Sequence, residues 1–289
     1  MRILIIGNGF LASPIIGKLL TEGHEILVYS RKKSLKFHGH QIVGDIFDFA
    51  KFSKVLDWNP QIVINTAWIT TPAKYLNDSS NYNYAEFTIN LAKLLVKSNV
   101  EHLIVFGSCL ELEFKDSLRS TQIQTSRSKS LYASQKIAAL ESCRTTLERA
   151  SVRLTWARVF FPYGPHQHKD RLIPHLIHSI RAGDLIELKD TTSVNDWITI
   201  RDIASAVSWI IQNNLPIEVD VGTSLGHTNL EILTTLELLM SVESTGQKYE
   251  SKSPEQNRNL IADKSSPLFT SGWLPADDLV TGLNWILNS

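Results

Sequence analysis

The sequence predicts a doubly wound α/β fold, a parallel sheet in its first half with a smaller mixed C-terminal lobe behind it, on three observations. Short β-rich runs alternate with longer amphipathic stretches, as βαβ units around a parallel sheet require. Several of those runs are continuously apolar, which marks strands covered on both faces. A glycine turn follows the first run directly and opens the first amphipathic stretch.

Taken in order, strands are predicted at 2–6, 25–29, 41–43, 61–65, 102–106 and 152–158, with helices at 11–22, 48–56, 84–98 and 132–150. After Arg158 the rhythm changes. Phe161-Pro162-Tyr163-Gly164-Pro165 reads as a turn-rich break, and a histidine-containing loop leads to a helix at 172–182. A short apolar segment at 196–199, a helix at 202–213, a strand at 217–221 and a closing helix at 277–287 complete the pattern. The expected division is a sheet domain from 1–160 that also takes in about 194–222, with 161–193 and 223–289 forming a substrate lobe.

Composition narrows the function classes. The 289 residues are 43% hydrophobic and 20% charged with zero formal net charge, so no overall field draws nucleic acid or an anionic membrane. Two cysteines, Cys109 and Cys143, are too few for a disulfide framework and suit a reducing compartment. The apolar run at residues 3–6 is too short for a signal sequence, and no uncharged stretch approaches the roughly 20 residues that span a bilayer. A cytoplasmic protein with neither a nucleic-acid nor a membrane partner is expected.

The turn is Gly7-Asn8-Gly9-Phe10-Leu11-Ala12, a GxGxxA pattern between strand and helix. Gly7 permits the tight turn, Gly9 lets the backbone approach a pyrophosphate, and Ala12 keeps the helix close to the sheet. The helix N-terminus adds amide donors, so Gly7, Asn8, Gly9, Phe10 and Leu11 are candidates for holding a dinucleotide on a Rossmann scaffold. NAD-preferring sites place an acidic residue about 20 residues beyond the glycines. Here Ser30, Arg31 and Lys32 stand there instead. A carboxylate would repel a 2′-phosphate that a serine and a guanidinium would bind, which makes NADP(H) the expected cofactor and NAD(H) the second choice. Asp45 and Ile46 follow the short third strand at the adenine edge, where Asp45 either accepts from the exocyclic amine or caps the next helix. Thr66 and Ala67 after the fourth strand, and Phe160 after the last, complete the cofactor set.

Tyr132 and Lys136 stand four apart on one helix, hence on one face. A tyrosine phenol titrates near 10 in isolation, about three units above neutrality. A neighbouring ammonium and a positive nicotinamide ring favour its phenolate, so Tyr132 is a candidate general acid/base beside a hydride donor. Ser108 follows the fifth strand at the sheet's carboxyl edge, placed to donate to the reacting oxygen. Cys109 beside it has no flanking histidine and is expected to pack. Substrate contacts are expected from Trp68, Thr70, Ser108, Cys109, Phe161, His168, Arg171 and Trp197. His166, His168, His175 and His178 have no thiolate or carboxylate cluster near them, so no metal is expected.

Together these residues resemble the extended short-chain dehydrogenase/reductases, the NAD-dependent epimerase/dehydratase family, over nearly the whole chain. Residues 158–165 look like the family's "RxFxxYGP" segment, and 171–174 are similar to the "RLIP" of sugar-nucleotide members. Residues 196–204 match "DWIxxxDxA" and 272–275 match "GWxP". The resemblance implies a catalytic triad of Ser108, Tyr132 and Lys136, a sugar-nucleotide substrate, and a homodimer built on the helices at 84–98 and 132–150. Four departures stand out. The glycine turn is one residue shorter than GxxGxxG. Cys109-Leu110-Glu111 replaces the Asp-Glu pair with which 4,6-dehydratases eliminate water. Phe161 takes the place of a diphosphate-binding Asn, and Asn195 that of an Arg, leaving Arg171 as the diphosphate candidate. The favoured activity is NADP-dependent reduction of a keto group on a sugar nucleotide with Tyr132 as general acid. A sugar-nucleotide epimerase on the same site and a non-enzymatic dinucleotide sensor are the alternatives.

Overall fold

A computed structural model describes residues 1–33, 37, 39–112, 130–188, 190–215, 217–242, 248–249 and 259–289. The strands of the main sheet are β1 (Arg2–Ile6), β2 (Glu25–Ser30), β3 (His40–Val43), β4 (Ile62–Asn65), β5 (His102–Ser108), β6 (Arg153–Val159) and, later in the chain, β10 (Glu218–Val221). All run parallel, in the order β10-β6-β5-β4-β1-β2-β3. The order reverses between β1 and β4, so the crevice where such sheets take ligands opens at their carboxyl ends.

The residue alternation of β1 explains why this sheet carries helices on both faces. Ile3 and Ile5 enter one core with Ile15 and Leu19 of α1 (Ala12–Thr21) and Ile203, Val207 and Ile210 of α6 (Ile200–Asn213). Leu4 and Ile6 enter another with Leu91 and Leu95 of α3 (Ser80–Leu95) and Leu140 and Cys143 of α4 (Leu131–Leu147). All four β1 residues are fully buried, each apolar side chain contributing roughly 1.5–3 kcal/mol over an exposed one. Helix starts are set by polar caps. Ser130 accepts from the Ala133 N–H at the head of α4, and Thr199 accepts from the Asp202 N–H at the head of α6.

The expected 48–56 helix divides into α2 (Phe49–Ser53) and a 3-10 turn (Lys54–Trp58), stopped by Asn59 at φ +53°. The expected 161–165 turn holds a strand, β7 (Phe161–Tyr163), paired with β9 (Val194–Thr199). Pro162 argued against a strand there; β7 is an edge strand, where the missing N–H is tolerated. β9 also pairs with β11 (Gly226–Thr228) and β13 (Asn259–Leu260), short segments without a readable period. A further pair, β8 (Glu187–Leu188) with β12 (Lys248–Tyr249), joins two remote segments. Around these pack α5 (Leu172–Ala182), α7 (Asn229–Leu239), α8 (Pro267–Thr270) and α9 (Leu279–Leu287), with Ile173, Leu176, Leu233, Leu236 and Leu283 in a core of their own. The closing helix starts later than expected because Asp278 is its cap and Asp277 is bonded to Thr199 and Arg201. Among the described residues no helix is long and apolar enough to cross a membrane.

Candidate active site

At one end of the crevice the β1–α1 turn is shaped by backbone. Gly7 sits at φ +102°, and a Cβ on it would lie 2.6 Å from Thr66 Oγ1, which donates to the Ile6 carbonyl at 2.9 Å. A Cβ on Gly9 would meet no protein atom within 4 Å, so internal packing does not explain that glycine. The first turn of α1 has neither a side-chain cap nor an acidic residue, so no side chain competes for its amide donors. These features fit the diphosphate of a dinucleotide. Asn8 ties the turn to the end of β2 by donating to the Lys32 carbonyl at 2.6 Å, and Phe10 and Leu11 flank it half-buried.

Ser30 is buried and spends its hydroxyl proton on the same Lys32 carbonyl, at 2.8 Å, while Arg31 and Lys32 are exposed. Burial pushes the Tyr84 phenol up, with Arg31 opposing and Asp45 adding. The exposed Asp45 carboxylate accepts from the Phe47 N–H at 3.0 Å, while the cap of α2 is Asp48, so the cap role expected of Asp45 belongs three residues later. Ile46 is buried beside it. Ala67 hangs from Asn65, whose Oδ1 accepts the Ala67 N–H at 3.1 Å.

At the other end the site is made of side chains. Tyr132 and Lys136 project from the first turns of α4, and the Tyr132 N–H is held by the Leu76 carbonyl at 2.9 Å. The Tyr132 phenol lies within electrostatic reach of Ser108 at the end of β5. Lys136 is almost fully buried and donates to the Phe106 carbonyl at 2.6 Å; its Nζ lies 3.9 Å from the Trp68 ring centroid and 5.2 Å from that of Tyr132. The ammonium therefore meets rings and a carbonyl rather than the phenol oxygen. Burial pushes the Tyr132 phenol up, Tyr75 adding and Ser108 opposing, while burial brings Lys136 down to about 7 against the pull of Glu111. The expected lowering of the phenol by its helical neighbour is absent from this arrangement. Spacing of four fixed the shared face but not the atom that the ammonium would find.

Glu111 was marked by sequence only as part of a missing acid pair. It is fully buried, accepting from the Ser108 N–H at 2.7 Å and from Trp156 Nε1 at 3.1 Å, and pairs with Arg158 at 3.6 Å. A carboxylate just past a continuously apolar strand was the signal available.

The substrate candidates divide into two groups. Trp68 stacks on Tyr84 with centroids 5.9 Å apart and donates to Asn81 Oδ1 at 2.7 Å. Arg171 makes no local cap; its guanidinium crosses to donate to the Thr70 carbonyl at 2.8 Å and lies 5.1 Å from the centroid of Tyr75. Tyr75, which sequence analysis missed, meets Tyr132 edge-on at 5.0 Å. Trp68, Thr70, Ser108 and Arg171 thus come together around Tyr132. Phe161 packs on Trp197 at 5.3 Å, where Trp197 Nε1 and nearby Asn195 Oδ1 are buried without hydrogen-bond partners among the described residues. Cys109 and Phe160 lie in an apolar cluster with Leu260 and Ala262, which places the Cys109 thiol in packing. His168 is exposed beside Asp170 at 3.6 Å, away from the buried set. Among the described residues no group of His, Cys, Asp and Glu is arranged to hold a metal.

Comparison with known proteins gives this geometry its context. The UDP-glucose 4-epimerase of Lactobacillus helveticus is 23% identical over 99% of this chain and 97% of its own length. A dTDP-glucose 4,6-dehydratase of Mycobacterium tuberculosis is 31% identical, but over 45% of this chain and 40% of its own. Among solved structures, Thermus thermophilus UDP-glucose 4-epimerase in complex with NAD superposes with a TM-score of 0.82 at 20% identity, covering 100% of this chain and 98% of that one. The Thermotoga maritima UDP-glucose 4-epimerase with UDP-glucose gives 0.80 at 17%, covering 100% and 98%. Residues 3–222 match the NAD dependent epimerase/dehydratase family, and the chain belongs to that family.

Proposed function

We propose that this chain is a sugar-nucleotide epimerase that works with NAD(H), with Ser108, Tyr132 and Lys136 as its catalytic set. The observation that carries the reading is the burial of Ser108, Tyr132 and Lys136 together at the crevice mouth, with no carboxylic acid in the two positions after Ser108. Full-length likeness to UDP-glucose 4-epimerases supports it over the NADP-dependent reductase expected from sequence. The nicotinamide supplies a reversible hydride acceptor when bound. Tyr132 would take the proton of a sugar hydroxyl as its carbon is oxidised and return it after reduction on the other face. Ser108 would hold that oxygen, and Lys136, its Nζ 5.2 Å from the Tyr132 ring centroid, would supply positive charge on the ring side. Gly7, Gly9 and the head of α1 would hold the diphosphate of the cofactor, with Arg31, Asp45, Ile46, Thr66, Ala67 and Phe160 around the rest.

The lobe of residues 161–193 and 223–289 would carry the sugar nucleotide, Arg171 offering two donors to its phosphates after leaving Thr70. Exposed Tyr82 and Val96 beside the packed pair α3 and α4 support a homodimer through those helices. Cys109 and Cys143 form no disulfide, which supports a cytoplasmic setting. The test is a panel of UDP- and dTDP-sugars, with C4 epimers resolved by chromatography and cofactor absorbance followed. Interconversion without net cofactor turnover is expected. Stoichiometric NADPH consumption on a 4-keto sugar nucleotide would instead establish the reductase, a second reading favoured by Ser30 and Arg31 at the end of β2.

A further inference from the structure

We propose that Trp68 is a positioning residue of the catalytic set: its indole ring seats the Lys136 side chain, and Asn81 fixes that ring in place. The inference rests on Lys136 being catalytic, and it concerns a residue with no role in the mechanism above.

Lys136 is 2% exposed, so its charge has to be answered by what packs around it. Among the described residues its Nζ has one hydrogen-bond partner, the Phe106 carbonyl at 2.6 Å, and no carboxylate within salt-bridge distance. Three rings supply the rest. The Trp68 centroid lies 3.9 Å from Nζ, that of Tyr132 5.2 Å and that of Trp156 6.0 Å. An ammonium is drawn to the negative face of a ring within about 6 Å, most strongly to an indole, so Trp68 is the nearest ring and of the best type. Trp156 has its Nε1–H turned to Glu111 and stands at the limit of that range.

The indole is itself held. Trp68 Nε1 donates to Asn81 Oδ1 at 2.7 Å. Asn81 is fully buried at the start of α3, and its Nδ2 donates to the Tyr75 and Asp78 carbonyls at 2.7 and 2.8 Å. Turning that amide over would set N–H against N–H and oxygen against two carbonyls, so its orientation is fixed. Tyr84, three residues further along α3, stacks on the indole at 5.9 Å, and Tyr132 meets it edge-on at 6.2 Å. One ring thus touches both Tyr132 and Lys136 and sets where the ammonium sits relative to the phenol.

The titratable groups that bear on Lys136 are Glu111 past β5 and Tyr132 on its own helix. Neither changes when only the electron density of the Trp68 ring is altered. Burial drives Lys136 down, and an electron-rich ring opposes that by favouring the charged form.

The experiment replaces Trp68 alone, by nonsense suppression in the full chain, with mono-, di- and trifluorotryptophan. Fluorine drains negative charge from the ring face and keeps its shape and its Nε1–H. Lys136 is followed by carbon-13 NMR titration with lysines labelled at Cε, its resonance assigned by loss in Lys136→Met. The midpoint should fall stepwise with each added fluorine, by roughly 0.5–1.5 pH units in all, the size of a desolvated cation–π contact. A midpoint indifferent to fluorination would overturn the proposal and leave Trp68 as packing. If the fluorinated chains do not fold, the unmodified protein decides. Its Lys136 ε-protons must resonate upfield of the ordinary lysine position, because ring-current shielding falls with the cube of distance and the nearest ring is at 3.9 Å. An ordinary lysine shift there would overturn the proposal equally. Neither measurement needs substrate, so both stand or fall apart from the epimerase reading.

Discussion

The two ends of the crevice are built by different means. At the β1–α1 end the shape is made by backbone: a glycine at φ +102°, a second glycine that no protein atom crowds, and uncapped amides at the head of α1. At the β5–α4 end it is made by buried polar side chains, Ser108, Glu111, Tyr132 and Lys136, none more than 9% exposed. The difference teaches what each end is sensitive to. A backbone site depends on local conformation and tolerates varied neighbours, whereas a buried polar network depends on every partner being present.

The largest effect should come from Tyr132→Phe, which removes the phenolic proton and keeps the ring. Turnover should fall on the order of a hundred- to ten-thousand-fold while dinucleotide affinity, read by calorimetry, stays put. Loss of both together would break the separation between the two ends.

The same strand provides the next contrast. His102, at the amino end of β5, is buried and bonded to Thr155 Oγ1 at 2.8 Å. Thr155 donates its own proton to the Leu215 carbonyl at 2.9 Å, so the histidine Nε2–H is the donor to Thr155. Burial, with Arg153 adding, brings its ring from 6.5 down to about 4. The unfolded chain then binds a proton that the folded chain refuses between those values. Stability is complete above about 6.5 and falls as pH drops toward 4, by at most roughly 3.5 kcal/mol at about 1.4 kcal/mol per pKa unit. Melting curves of His102→Gln should be flatter across that window than those of the unmodified chain; equal slopes would remove His102 as the cause.

Gly7→Ala tests the backbone end. The new Cβ would collide with Thr66 Oγ1 and hold a strained φ, costing roughly 1–3 kcal/mol. A lower melting temperature and weaker dinucleotide binding are expected, with kcat at saturating cofactor little changed. A kcat loss like that of Tyr132→Phe would show that the two ends are coupled.

The smallest effect is expected from Arg31→Ala. Its side chain is exposed, so it should alter the ratio of NADP to NAD affinity by at most about tenfold, with stability untouched. Calorimetry finding the ratio unchanged would confine cofactor choice to backbone and to Asp45.

Much of this was legible because it is local. The run at 2–6, the GxGxxA turn and the Tyr132–Lys136 spacing are each contained within a dozen residues, where period and turn chemistry act directly. The smaller sheet was not legible. β7 is three residues long and contains a proline, and β11 and β13 pair with β9 through contacts that no local pattern announces.

The sequence by itself determined the alternation of strands and helices, the place of the glycine turn and the face shared by Tyr132 and Lys136, because those follow from neighbours along the chain. Tertiary structure decided where charges go. It set the Lys136 ammonium on the Phe106 carbonyl and over Trp68, buried Glu111 against Ser108 and Trp156, and carried Arg171 to a carbonyl 101 residues earlier. Those partners are brought together by the order of strands across the sheet, and the low polarizability of that interior makes each buried charge answer to whichever opposite charge or carbonyl the packing leaves within reach.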